Sequence, residues 1–481
     1  MIEIDLAYMS ASLQLDLFRA RKLSPVEVLQ AQIARHERHN DAVNATTYTH
    51  FEKAMGEARE SEARWMNGTA RPLEGVTCAL KDEHHEAGMI VTAGSALLKD
   101  AVRDYTDEVT AKLKQAGVVV HMQTTVPEFY VHGVTFSRLW GVTRNPWNLN
   151  YTVGGSSGGT GAAIAAGMTT IGTGSDMGGS VRLPSAYCGL YGFKPPFGRI
   201  TTEQPLSPFA GTGPMARTFA DMTRMQNAMA GQAPHAPFTL PGVEMPLDYG
   251  SIEGMRIALC PDLGGFAKIS DETRALTLAA AERLSALGAE VVEIDLDLGS
   301  DLAEMTEAFF KVFWSGSMGG GLAAAFAERL EDMSPYARWA FQVMLGGKYG
   351  GAQQAMFEAY LRGLYARIAD QLWNNGFDAL VQSTLNDSHV PADFDHSFQT
   401  FSIDGVEMPQ TFFASLSLPW NILNTHPVVS APSGLTAQNM PAGIQIVAKP
   451  YDDATAFRIA HAYEGATEPM FTGGRSPDFR R

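Results

Sequence analysis

Residues 154–199 read GGSSGGTGAAIAAGMTTIGTGSDMGGSVRLPSAYCGLYGFKPPFGR, and the rest of the chain is organised around them. Hydroxyls sit inside glycine runs at three places: Ser156 and Ser157 in GGSSGG, Ser175 in TGSD, and Ser180 in MGGSVR. Glycine costs backbone entropy on folding, so this density needs a reason. Glycines permit positive φ, close approach of main chain, and N–H groups converging on one spot. A Gly/Ser run alone is usually a linker. Here the intervening AAIAAGMTTIGTG is apolar and uncharged, which suits a buried element between two turns of one packed site. Serines in such turns can be nucleophiles facing an anion hole.

Two serine mechanisms fit. Gly154-Gly155-Ser156-Ser157-Gly158 satisfies the GxSxG nucleophile elbow, which needs a strand before it and a later acid and histidine. The preceding TRNPWNLNYTV reads as loop, but His389, His396, His426 and His461 supply late histidines, so the elbow stays open. The second mechanism needs no histidine. A lysine kept neutral by desolvation draws the proton from one serine through another. Lys81 in TCALKDEHHEAG ends a short apolar run and precedes Asp82. A lysine in that position is more often a solvated strand end.

Lys81-Asp82, the TAGS of Thr92 to Ser95, GGSSGG and GSDMGGSVRLPSAYCGLYGFKP together resemble the amidase signature family. The offset of its paired serines is reproduced, 180 − 156 = 24. GPMAR (Gly213 to Arg217), Asp221 and MPAGIQIVAKPYDD extend the likeness over most of the chain, most weakly between 235 and 420. The resemblance implies that Ser180 is the acyl-accepting nucleophile and that Ser156, on a cis peptide bond, is the bridging serine. It implies that Lys81 is the general base and then the acid. The N–H groups of Met177, Gly178, Gly179 and Ser180 would form the oxyanion hole. Ser157, Ser175 (where many members carry Thr) and Asp176 would support them, and no metal or cofactor is needed. The implied fold is a single α/β domain over 1–481, with a central mixed, mostly parallel sheet covered by helices on both faces. N-terminal helices would occupy 1–65, the catalytic core 66–230, and a helical insertion at 300–375 would cover the substrate pocket. The implied function is a serine amidohydrolase acting through an acyl-enzyme. The alternatives are an α/β-hydrolase-type esterase and a partner-dependent component of an amidotransferase.

The chain also departs from the family pattern. Gln123-Thr124-Thr125 replaces a lysine–threonine–asparagine-like run. PWNILNTHPVVSAPSG departs from the asparagine–leucine–threonine–glycine–x–proline pattern, which leaves the pocket rim near Trp420 and His426 open. His84-His85 stands where apolar residues are common and receives no role.

Composition bounds the function class. Net charge is 36 − 52 = −16, against sequence-independent binding of nucleic acid or anionic membranes. With 45% hydrophobic residues there is ample core material, yet no run approaches 18 apolar residues. The N-terminal MIEIDLAYMSASLQ lacks the basic and apolar regions of a signal peptide. Cys78, Cys188 and Cys260 follow no metal-binding spacing and read as reduced, buried thiols of a cytoplasmic protein. The expected partner is a small-molecule amide, and a homo-oligomer is compatible with the sequence.

Along the chain, Ser24-Pro25-Val26-Glu27 spells a capping box opening a helix over 24–38, and a second helix follows over 50–66. A buried strand ends at Lys81, and a helix over 107–116 is closed by Gly117 before another strand. Phe129, Tyr130, Phe136, Trp140 and Trp147 suit core packing, with Phe129, Tyr130 and, later, Trp420 as candidates for the acyl pocket. Arg182 suits a structural ion pair, and Arg217 with Asp221 an i, i+4 pair. Pro and Gly at 231–253 mark an internal boundary, after which strand, helix and strand form a βαβ unit. Residues 301–375 read as helices broken at Gly319-Gly320-Gly321, packing Phe309, Phe310, Phe313, Trp314, Trp339, Phe341 and Trp373 on the sheet or forming a lid. FDALVQSTL reads as a strand, and NDSHVPADFDHSF as a solvated loop rather than a metal site built from Asp387, His389, Asp393, Asp395 and His396. GIQIVAK and ATAFRIAHAYE supply the last strand and the closing helix.

Overall fold

Short apolar runs become strands buried on both faces of one sheet. The computed structural model describes residues 5–202, 208–309, 319–346, 351–473 and 475–477. The strands of its main sheet are β1 Thr46–Thr49, β2 Thr77–Lys81, β3 Val119–Thr124, β4 Ile171–Asp176, β5 Tyr191–Lys194, β6 Gly211–Ala216, β7 Arg256–Leu259, β8 Glu290–Glu293, β9 Ala379–Ser383, β10 Val428–Leu435 and β11 Pro441–Ala448. They form an 11-stranded sheet ordered β1-β3-β2-β4-β6-β5-β10-β11-β9-β7-β8. The sheet is mixed. Parallel blocks β3-β2-β4 and β9-β7-β8 flank an antiparallel centre, and β1 pairs antiparallel at one edge. The expected βαβ unit is β7, the helix Asp271–Ala286 and β8.

Successive strand residues face opposite sides. Cys78 and Leu80 of β2 enter one core, together with Ile257 and Leu259 of β7 and Ile444 and Ile446 of β11. Helices Phe219–Met229, Asp271–Ala286 and Asp453–Gly465 contribute Phe219, Leu284 and Phe457 to that core. Ala79 points the other way, onto Ala162 and Ile164 of the helix Gly158–Ala165. Ala258, Leu380 and Val447 likewise face a second core with Leu364 and Ile368. Burial on both faces explains why these strands read as continuous apolar runs. At the N-terminal end, the helix Pro25–Val43 carries the expected capping box, with Ser24 N donating to Glu27 Oε2 at 2.8 Å.

Several expectations are corrected. The internal boundary at 231–253 links β6 to β7, two strands of the same sheet. Arg217 and Asp221 serve different partners. Arg217 donates to the carbonyls of Ile164 and Thr169, and Asp221 accepts the N–H groups of Ala11 and Ser12 that open the helix Ala11–Arg19. The 386–398 loop is not solvated: Asn386, Ser388, Asp395 and His396 are buried, and His396 Nδ1 meets His132 Nδ1 at 3.1 Å. Gly319, Gly320 and Gly321 lie within the helix Gly319–Ala325, and the residues just before them lie outside the described ones. Phe310, Phe313 and Trp314 lie outside the described residues. The 301–375 helices divide their packing. Gly351–Ile368 packs toward the sheet through Leu364 and Ile368. Gly319–Ala325 and Pro335–Gly346 instead pack on the 93–136 region, where Phe341 meets Phe129 at 4.8 Å between ring centroids.

One buried ion pair locks the centre. Arg182 grips Asp176 through Nε at 2.9 Å and Nη2 at 2.8 Å, and its remaining N–H bonds reach Gln445, Asn421 and the Ser417 carbonyl. Both side chains are buried. Burial by itself would raise the Asp176 carboxyl, and the Arg182 guanidinium overcomes this and holds it well below the usual carboxylate range.

Breaking this pair from one side should be costly. Arg182→Met leaves a buried carboxylate uncompensated and should lower stability by about 3–5 kcal/mol in denaturant titration. Gly159→Ala tests the close approach of the helix Gly158–Ala165, since a Cβ there would sit 2.4 Å from the backbone N of Thr125. Helix propensity alone favours alanine by about 1 kcal/mol. The clash should reverse that sign and destabilise by about 1–3 kcal/mol, read from the same titrations.

Candidate active site

Parallel pairing delivers two strand ends to one place. β2 ends at Lys81 and β4 at Asp176, with Ala79 paired to Gly172. Lys81 N donates to Thr173 Oγ1 at 2.9 Å, which fixes the end of β2 against β4. The GGSSGG turn comes in from a loop. A Cβ on Gly155 would sit 2.4 Å from the His132 carbonyl oxygen, so glycine is required there by contact with backbone. The Gly155–Ser156 peptide is cis. Ser157 then precedes the helix Gly158–Ala165, and its N–H donates to the Ser180 carbonyl at 3.3 Å. That bond joins the turn to the MGGSVR segment.

The Lys81 amine stands at the middle. Its side chain is fully buried. Nζ lies 2.9 Å from Ser156 Oγ, 2.6 Å from Ser175 Oγ and 3.2 Å from Glu83 Oε2. The Tyr130 ring centroid is 5.0 Å away, and Tyr130 Oη donates to the Asp82 carbonyl at 2.8 Å. Burial drives the Lys81 amine below its ordinary value, against the opposing pull of Glu83. Burial likewise pushes the Asp82 carboxyl up, to about 7, although Thr92 and Gly94 donate to it.

The structure brings together Lys81, Ser156, Ser157, Ser175 and Asp176. Ser157 Oγ accepts from Ser175 N at 3.3 Å. Ser180 follows in the same turn and is partly exposed. The donors expected for the anion hole need one correction. Gly179 N–H is directed at Asp176 Oδ1, at 2.8 Å, and so serves the carboxylate. Ser417 Oγ donates to the Gly178 carbonyl at 2.6 Å and steadies the same turn.

Of the three pocket residues expected, Tyr130 alone is placed over Lys81. Phe129 is buried among Phe326 and Phe341, on the region beneath the 319–346 helices. Trp420 is fully buried in the second core, with Nε1 donating to Gln382. A buried indole satisfied by Gln382 is a core residue, so the expected pocket role for Trp420 is corrected.

The elbow geometry is not formed. Loop, not strand, precedes the turn. His389 pairs with Asp387 and Thr436, His396 with His132, His426 with the Leu423 carbonyl, and His461 with Asp248. His84 and His85 acquire structural roles: His84 Nδ1 meets Thr173 Oγ1 at 3.0 Å, and the backbone N of His85 donates to Asp107 Oδ2 at 2.5 Å. Glu83 was missed in the sequence. Its residue type two positions after Lys81 is a signal that could have been weighed. Among the described residues, no cluster of three or more His, Cys, Asp or Glu could hold a metal ion.

Known proteins resemble this chain over nearly its whole length. The family model described as Amidase matches residues 27–457. An acylamidase of Rhodococcus erythropolis is 31% identical over 483 residues, covering 96% of each chain. A glutamyl-tRNA(Gln) amidotransferase subunit from Synechococcus sp. (strain CC9902) is 30% identical over 479 residues, covering 95% of this chain and 96% of the relative. The crystal structure of a bacterial aryl acylamidase of the amidase signature enzymes superposes with a TM-score of 0.85 at 25% identity, over 96% of each chain. With a family model spanning nearly its whole length and a fold superposing over the same extent, the chain belongs to the amidase signature family and is an amidase.

Proposed function

We propose that this amidase cleaves its substrate through an acyl-enzyme on Ser180, with Lys81 acting through Ser156. The observation that carries the reading is a fully buried amine 2.9 Å from the Ser156 hydroxyl. A neutral Lys81 accepts the Ser156 proton as Ser156 takes the Ser180 proton, and Ser180 Oγ bonds to the amide carbon. The carbonyl oxygen becomes an alkoxide, held by the N–H groups of Met177, Gly178 and Ser180. Each such donor is worth about 10²–10³-fold in rate. The C–N bond breaks as the proton returns from Lys81, by way of Ser156, to the departing amine nitrogen. Water then attacks the Ser180 ester by the reverse route and releases a carboxylate. Proton delivery to the nitrogen matters because an amide anion is too poor a leaving group.

The acyl group is uncharged, aryl or alkyl. Tyr130, Met177 and Ala414 give the neighbourhood its apolar character. Helices Gly319–Ala325 and Pro335–Gly346 cover this side, because they pack on the segment that carries Phe129 and Tyr130. The free thiols of Cys78, Cys188 and Cys260, all buried, fit a reducing compartment such as the cytoplasm. No described helix is long and apolar enough to cross a membrane.

A second reading is favoured by the 30% identity to the amidotransferase relative over 95% of this chain. In that reading the same centre works only beside a partner chain. The purified chain should hydrolyse at least one member of a panel of anilides, aliphatic amides, cyclic amides and ureas. Silence on the whole panel, relieved by a second polypeptide, selects the partner-dependent reading.

A fluorophosphonate probe should label Ser180, located by peptide mass spectrometry, and labelling of Ser156 would contradict the assignment. Lys81→Ala should reduce kcat by about 10²–10⁴-fold or more while circular dichroism stays native. Lys81 must be unprotonated to begin the reaction, so kcat/KM should rise with pH through a pKa below the ordinary lysine value of about 10.4.

A further inference from the structure

Glu83 has no part in the reaction drawn above, yet its carboxylate reaches the centre of the site. Oε2 accepts the Ser175 hydroxyl at 2.5 Å and lies 3.2 Å from Lys81 Nζ. The side chain is 20% exposed, so solvent replaces these partners only in part. Counting hydrogens gives the contacts a direction. An ionised carboxylate only accepts, and a serine has one O–H to give. With that hydrogen on Glu83, Ser175 Oγ must accept from Lys81, 2.6 Å away. A neutral amine has two N–H bonds and one lone pair. Ser175 Oγ and Glu83 Oε2 occupy the two N–H bonds. The remaining neighbour, Ser156 Oγ at 2.9 Å, therefore faces the lone pair.

We infer that Glu83 is a positioning residue that aims the Lys81 lone pair at Ser156 and, through its charge, sets the pH at which Lys81 becomes a base. The inference rests on the reading of Lys81 as the base. The same two contacts would serve a structural carboxylate, so direction and charge must be tested separately. Other charged groups face the pair less directly. Asp176 and Asp82 act on Lys81 more weakly than Glu83 does, and each is engaged elsewhere, by Arg182 and by Thr92 and Gly94. His84 is the next titratable neighbour of Glu83, and its Nδ1 meets Thr173 Oγ1. Among these groups Glu83 most strongly opposes the effect of burial on Lys81; burial is the largest single influence on Glu83 and raises its carboxyl, and Lys81, His84 and the Ser175 hydroxyl together bring it below the ordinary value.

The test is the pH profile of kcat/KM on 4-nitroanilides of acetic, butyric and benzoic acid, for the full chain and for Glu83→Gln, Glu83→Asp and Lys81→Ala. Removing an anion beside an ammonium favours the neutral amine, so in Glu83→Gln the acid limb should move to lower pH by about one unit or more. Its plateau should fall about tenfold or more through kcat with little change in KM, because the Gln amide can also donate and blurs the direction of the network. Glu83→Asp keeps the charge, so its limb should stay closer to wild type than that of the Gln variant. Equal losses in both variants with unmoved limbs, or a Gln variant with wild-type limb and plateau, would overturn the inference. The first of these results beside an inactive Lys81→Ala removes Glu83 and keeps Lys81 as the base. Near-normal turnover in Lys81→Ala removes both.

Discussion

A primary amine enclosed away from water is the constraint on which this structure depends. An ammonium in that position loses its hydration, and desolvation favours the neutral form. The protein meets Lys81 with two hydroxyls and one carboxylate. Parallel pairing of β2 with β4 puts the amine and Ser175 at the same sheet end, and the glycine-bearing turn at 154–159 carries Ser156 in from the side. The glycines are there because backbone passes where a Cβ would be, at the His132 carbonyl and at Thr125.

The other buried charges contrast with Lys81. Arg182 and Asp176 satisfy one another in two bonds, with Asn421 and Gln445 completing the set. A pair so fully matched keeps both charges and holds the turn that follows Asp176. Asp176 spans the turn by accepting from the N–H groups of Gly179 and Val181. The carboxylate thereby shapes the loop carrying Ser180 without touching the Lys81 amine. Lys81 has no such matched partner: Glu83 is its nearest counter-charge, and Asp176 and Asp82 act on it more weakly.

Much of this was legible in the sequence. Apolar runs of five or so residues announced strands buried on both faces, and Ser24, Pro25 and Glu27 announced their helix through capping chemistry. Lys81, Ser156 and Ser175 were legible because glycine-rich turns and a lysine at a strand end leave a local mark, sharpened by the family resemblance. Contacts between distant segments left no such mark. The bond from Gly179 N–H to Asp176 depends on how one turn folds back, and Trp420 could be placed in the core only once Gln382 was seen to satisfy its indole. Arg217 and Asp221 have the spacing of a helical pair, yet orphan backbone groups from the N-terminal region outcompete that pairing. The histidine-bearing loop after β9 reads as polar, and a His–His contact with residue 132 buries it.

The state of one proton is therefore the quantity to measure. Protein labelled with ¹⁵N at lysine Nζ, with the Lys81 resonance assigned by its loss in Lys81→Arg, can be titrated by NMR. A Lys81 signal that becomes an uncharged amine well below the titration of the exposed lysines is the expected result. A Lys81 signal that titrates together with the exposed lysines would contradict the account.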